Sequence, residues 1–290
     1  MKYKIQNDKI TAEVKTSGAA LTSIRSFEKG EYLWGGDSNS WASQAPFLFP
    51  FVGGLREGKT IIDGVKYEMG RHGFIRMMEF EKISGKDDEI TLSFRANSDT
   101  RRMFPFEFSF TVTYRLEDNK IFTIITVKNH GDGEMPFCVG GHPGFRIPLE
   151  EFENYVFSFD RPVTANCMAA VPSEGLVDVN DRTPFLKRRK TFKLSHDLFK
   201  VDAVIFDEDV PHAITLQNPK TKHGVRMEYP DFDYLGIWST AKKAGFVCIE
   251  PWTGYSTTIT DSDNFREKTG IITLKKDESK TFEYCVELLG

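Results

Sequence analysis

Between residues 105 and 127 the chain reads PFEFSFTVTYRLEDNKIFTIITV, with apolar residues on every second position. Phe106, Phe108, Phe110, Val112, Tyr114 and Leu116 fall on one side, and Glu107, Ser109, Thr111, Thr113 and Arg115 on the other. A period of two is the period of a strand, because successive side chains leave a pleated backbone on opposite faces. After the turn EDNK the alternation resumes at Ile121, Thr123, Ile125 and Val127, which predicts a hairpin with one wetted face. Short runs of similar character recur along the chain (KYKIQ, ITLSFRA, YVFSFD, AITLQN, GFVCIE, FEYCVEL), separated by Gly, Asp, Asn, Pro or Lys. No long stretch keeps a helical period, although segments 38–46 and 195–200 could each hold one helical turn. The 25 phenylalanines point the same way, since aromatic side chains suit half-buried pleated surfaces.

Many short strands at close spacing predict an all-β fold, a large antiparallel β-sandwich or barrel. A length of 290 residues allows one or two domains. With no internal repeat or convincing linker, one domain over 1–290 is expected, and NDRTPFLKRRK (180–190) is the most linker-like stretch. Lys and Arg total 38 against 42 Asp and Glu, a net charge of −4, which argues against a nucleic-acid partner. The one basic run, Lys187-Arg188-Arg189-Lys190, reads as a solvated face. No segment has the apolar length of a membrane span, and the N-terminal residues lack the apolar core of a signal peptide. Cys138, Cys167, Cys248 and Cys285 have no CxxC spacing and read as buried free thiols of a cytoplasmic protein.

Several chemistries lack their residues. The six histidines form neither HxH nor HExxH, so no metal site is expected. There is no phosphate-cradling GxGxxG or GxxxxGK[ST], and no GxSxG nucleophile elbow. Cys138, within an apolar strand and two residues before GGH, reads as core rather than as a nucleophile.

Three segments remain. In GGHPGFRIP (140–148), His142 stands among residues that permit close backbone approach, either to present its ring in a cleft or to bond backbone in a turn. His72 in RHGF has a similar setting. Glu250 in FVCIEPWTG ends an apolar run, and a carboxylate there must be paired or hydrogen-bonded. Burial would raise its pKa, which suits a general base or acid, while a histidine near its usual value would complement it. One carboxylate and two imidazoles are a proton-transfer set, suited to ring opening or isomerisation of a neutral polar substrate. Phe74, Phe145, Trp238 and Trp252 could pack on the C–H faces of a sugar, though each reads more readily as core.

Together, GGHPGF, RHGF and CIEPWTG, with FLFPFVGGLREGK, the IIDGVKYEM strand pair and YPDFDYLGIWS, resemble the aldose 1-epimerase (galactose mutarotase) family over nearly the whole chain, most closely its shorter LacX-like bacterial branch. The resemblance implies a β-supersandwich that interconverts the α and β anomers of a free sugar without a cofactor. By that resemblance Glu250 is the general base on the C1 hydroxyl and His142 the general acid on the ring oxygen. His72, Arg56 (in GGLREGK) and Asp202 (in LFKVDAVIF) match sugar-binding residues. Two other outcomes are open: a hexose-6-phosphate 1-epimerase, with Arg71, Arg76, Arg146 and Lys59 as candidate cations, or a carbohydrate-binding protein without turnover.

Overall fold

The structure, a computed structural model, describes residues 1–208 and 211–290. The hairpin read from the alternation is present as Phe108–Glu117 and Lys120–Asn129, in register from Phe108↔Asn129 to Glu117↔Lys120. Its even-numbered side chains from Phe108 to Leu116 are buried, and the polar ones between them are half-exposed. This hairpin lies in a nine-stranded antiparallel sheet. Across the sheet the strands run Leu176–Lys193, Val156–Val171, Ala213–Gln217, Gly224–Glu228, Ser279–Leu289, Lys120–Asn129, Phe108–Glu117, Glu89–Arg95 and Glu81–Lys86.

A second sheet packs against the phenylalanine face of the first. Its path is Val204–Phe206, Tyr234–Trp238, Phe246–Trp252, Gly140–Gly141 and Phe47–Leu48, with Gly144–Arg146 also pairing to Phe246–Trp252. Phe47 and Phe49 carry the contact: Phe49 lies 5.0 Å from Phe108 and 5.2 Å from Phe110, ring centre to ring centre. The resulting core is continuous from Ile5 to Leu288. The protein is therefore all-β with antiparallel sheets, as the periodicity implied. The GVKYE segment pairs with Lys59–Ile62 around an Asp63-Gly64 turn, as expected.

Two local expectations are corrected, and a third is met. Residues 180–190 are not a linker but part of the 18-residue strand Leu176–Lys193. Its pairing with Val156–Val171 is broken by repeated register shifts, and such bulges erase the alternation that would have marked it as strand. The basic run lies on this strand and is exposed at all four positions. Residues 38–46 form no helical turn; a turn closed by an Asp37↔Trp41 bridge holds them. The expected turn at 195–200 is a 3-10 helix, His196–Phe199. The one α-helix among the described residues, Ser98–Met103, is missing from the sequence reading because its six residues are too few to display a period. Asn97 caps it by accepting from Asp99 N and Thr100 N.

All four cysteines are free, and three are buried. Among the described residues no helix is long and apolar enough to cross a membrane.

Candidate active site

Phe246–Trp252 is the strand that matters most. It has neighbours on both edges, and all seven of its residues are buried. Glu250 sits at 1% exposure, opposite Gly236 of the adjoining strand. A side chain at Gly236 would meet the Trp252 ring at 2.4 Å, so glycine there is what lets the indole lie across the strand. Trp252, Glu250 and Trp238 line one wall of a cleft of about 480 Å³, within the range usual for small-molecule sites.

His142 enters from the neighbouring strand. Gly140 pairs with both Trp252 and Leu48, and Pro143 then interrupts the ladder before Gly144 re-pairs with Cys248. The interruption frees His142 to face the cleft, where its Nε2 lies 3.2 Å from Glu250 Oε2. Its Nδ1 is buried and has no hydrogen-bond partner among the described residues. Trp41 stacks on the imidazole at 4.9 Å, and Trp238 meets it edge-on at 5.7 Å.

His72 is held differently. It adopts φ +65°, donates its backbone N–H to Gly53 O at 2.7 Å, and accepts the Gly53 N–H on Nδ1 at 3.0 Å. A backbone N–H can only donate, so Nδ1 is the acceptor and the neutral ring carries its proton on Nε2. His72 is thus fixed as a donor, with its ring perpendicular to that of His142 at 5.8 Å.

The electrostatics favour neutral forms. Burial raises the Glu250 carboxyl well above its ordinary range, Asp202 adds to the rise, and Arg71 opposes it. Burial lowers the His142 imidazole to about 3, which corrects the expectation of a histidine near its usual value. His72 is also lowered, by burial first and then by His142, Arg71 and Arg76. Each member of the Glu250–His142 pair resists being charged in isolation, so we assign one proton shared between Nε2 and Oε2, beside the one that the neutral imidazole keeps on Nδ1.

Asp202 lines the cleft and accepts from Arg71 at 3.0 Å and from Ala203 N at 2.9 Å. Glu250, His142, His72 and Asp202 therefore meet. Arg56 does not. Its guanidinium turns to the 258–263 loop, donating to Thr258 O, Ile259 O and Asp261 O at 3.0–3.2 Å and pairing with Asp263 at 3.2 Å. The expectation of a sugar contact at Arg56 is replaced by a structural role, because those carbonyls have the directed demand that a forked guanidinium satisfies. Arg71 and Arg76 line the cleft instead. Arg146 and Lys59 do not. Phe74 and Phe145 are core residues at 1% and 2% exposure, whereas Trp238 and Trp252 face the cleft. Trp41 was not anticipated; a tryptophan inside the polar turn DSNSW was its only sequence signal. The Trp34 indole holds it by donating to Trp41 O at 2.8 Å.

An antiparallel β-supersandwich with a buried histidine–glutamate pair at the wall of a cleft is the class that this fold and site define. Residues 1–286 match the family model described as aldose 1-epimerase, and the chain belongs to that family. It is 32% identical to the chromosomal protein LacX of Lactococcus lactis subsp. lactis over the full length of both chains. Among solved structures it is similar to a galactose mutarotase related enzyme from Lactobacillus acidophilus, with 31% identity and a TM-score of 0.94 over 99% of this chain and 97% of that one. A galactose mutarotase-like protein from Lactobacillus casei gives 30% identity and 0.90 over 99% and 100%.

Proposed function

We propose that this protein is a cytoplasmic aldose 1-epimerase that interconverts the α and β anomers of a free aldose such as glucose or galactose. The observation that carries the reading is the buried His142–Glu250 pair, 3.2 Å apart at the wall of the cleft. Mutarotation moves a proton off O1 and another onto the ring oxygen, and both oxygens are bonded to C1. A base and an acid side by side at one carbon are what that requires. Glu250 takes the O1 proton, His142 protonates the ring oxygen, and the C1–O5 bond opens. Rotation about C1–C2 presents the other face of the aldehyde, and the same two groups return the protons as the ring closes. With the shared proton on His142 Nε2 the pair supplies one donor and one carboxylate acceptor, and the proton that Glu250 takes from O1 makes it the donor for the return in this near-symmetric reaction. His72, fixed as an Nε2–H donor, and Asp202, an acceptor, are suited to sugar hydroxyls. Trp41, Trp238 and Trp252 offer apolar surface for C–H faces. No step calls for a cofactor.

The test is polarimetry on freshly dissolved α-D-glucose and α-D-galactose in weak buffer, with and without the protein. Acceleration is expected, and it should fall about 10²–10⁴-fold in Glu250→Gln. A wild-type rate in that variant would remove Glu250 from its role.

One observation favours a second reading, a hexose-6-phosphate 1-epimerase. Arg76 lines the cleft, is half-buried, donates to Arg71 O at 2.8 Å, and has no carboxylate at ion-pair distance among the described residues. A cation held so is suited to an anionic substituent. Glucose 6-phosphate in the same assay decides between the two: a higher kcat/KM than for glucose selects the phosphorylated substrate.

A further inference from the structure

Cys248 and Glu250 are two positions apart on one strand, so both side chains leave it on the same face. His142 comes to that face from the neighbouring segment. One ligating atom from each of the three lies within 4.8 Å of the other two, and all three residues are buried. Three points so spaced share a centre within about 2.8 Å of each. Zinc bonds require about 2.0–2.3 Å to nitrogen, oxygen and sulfur, so a contraction of about half an ångström would complete the set.

We propose that His142, Cys248 and Glu250 form a zinc-binding site, and that Zn²⁺ bound there blocks the cleft by occupying the acid–base pair; the blocking part rests on the function proposed above. The charges favour the assembly. A thiolate, a carboxylate and a neutral imidazole sum to −2 and cancel the charge of Zn²⁺, so a neutral unit occupies a site that resists each separate charge. As the Zn–S bond forms, the thiol proton leaves to solvent, the proton shared between Nε2 and Oε2 leaves with it, and the imidazole keeps its Nδ1 proton. His142 and Glu250 line the cleft, and Cys248 lies buried behind them. Sulfur and nitrogen donors select Zn²⁺ over Mg²⁺ or Ca²⁺, which require mostly oxygen.

The experiment uses Co²⁺ as the optical probe and Zn²⁺ as the competitor, on wild type and Cys248→Ser, with Cys248→Ala as a second variant should serine misfold. In wild type a thiolate-to-cobalt charge-transfer band is expected at one equivalent, abolished by Zn²⁺ and unmoved by Mg²⁺. It should be absent from the Cys248 variants. In polarimetry Zn²⁺ should inhibit wild type competitively with sugar. Cys248→Ser should keep its metal-free rate, with inhibition weakened by at least the roughly 10–100-fold that changes around metal ligands bring. No band in wild type, or an undiminished band without Cys248, would overturn the zinc site. A Cys248-dependent band in a protein without turnover would leave the site standing and overturn the mutarotase reading instead.

Discussion

At the scale of single residues, the cleft separates two histidines that look alike in sequence. His72 has its tautomer set by the Gly53 N–H, whereas His142 bonds Glu250. His142→Asn is therefore expected to lose about 10²–10⁴-fold in turnover with the fold retained, as judged by circular dichroism. Arg56→Ala should behave oppositely. Removing the donor from three carbonyls should cost about 1–3 kcal/mol in denaturant unfolding while leaving KM for the sugar near that of wild type. Lys268 is a third case. It is buried, donates to Tyr255 O, and burial lowers its pKa from 10.5 to about 8. Between those two values the unfolded chain holds the lysine proton and the folded chain does not, so this group's contribution to stability rises with pH across that window. Relative to Lys268→Met, wild type should gain about 3 kcal/mol from pH 8 to 10.5, read from paired unfolding curves. A difference that stays flat with pH would show that the ammonium is not desolvated.

At the scale of elements, the site hangs on places where regular structure stops. Pro143 breaks the strand that delivers His142, and the RHGF turn delivers His72. Gly73 in that turn has φ +66°, and a Cβ there would lie 2.1 Å from Phe49 O. Gly73→Ala should therefore cost more than about 1 kcal/mol and raise KM by displacing His72, measured by thermal unfolding and polarimetry together. The hairpin at 108–129 was legible because one face is wet and the other dry. The strand Phe246–Trp252 was legible only as an apolar run, since burial on both faces removes alternation. The long strand Leu176–Lys193 was misread because its bulges remove the period altogether.

At the scale of the whole molecule, two sheets share one phenylalanine-rich core, and the smaller sheet holds Glu250 and brings His142 to it. Phe110 touches Phe47 and Phe49 from the opposite sheet and Phe80 beside it, at 5.2–6.1 Å between ring centres. Phe110→Ala should cost about 3–5 kcal/mol, read from denaturant unfolding, because rings from both sheets would border the cavity. A loss below about 1 kcal/mol would mean that the sheets close over the gap.

The sequence by itself determined the all-β class, the family resemblance, and the residue types Glu250, His142, His72 and Asp202. The class follows from local alternation, Glu250, His142 and His72 from short segments whose glycines, prolines and histidines stand together in the chain, and Asp202 from the family resemblance alone. Tertiary structure alone decided that Arg56 leaves the cleft while Arg71 and Arg76 enter it, that Trp41 stacks on His142, and that Cys248 joins the pair. The physical reason is that where a side chain points, and what burial does to its proton, depend on neighbours far away in the chain. Arg56 meets carbonyls about two hundred residues later, and Glu250 meets a histidine from another strand, and no local pattern encodes either distance.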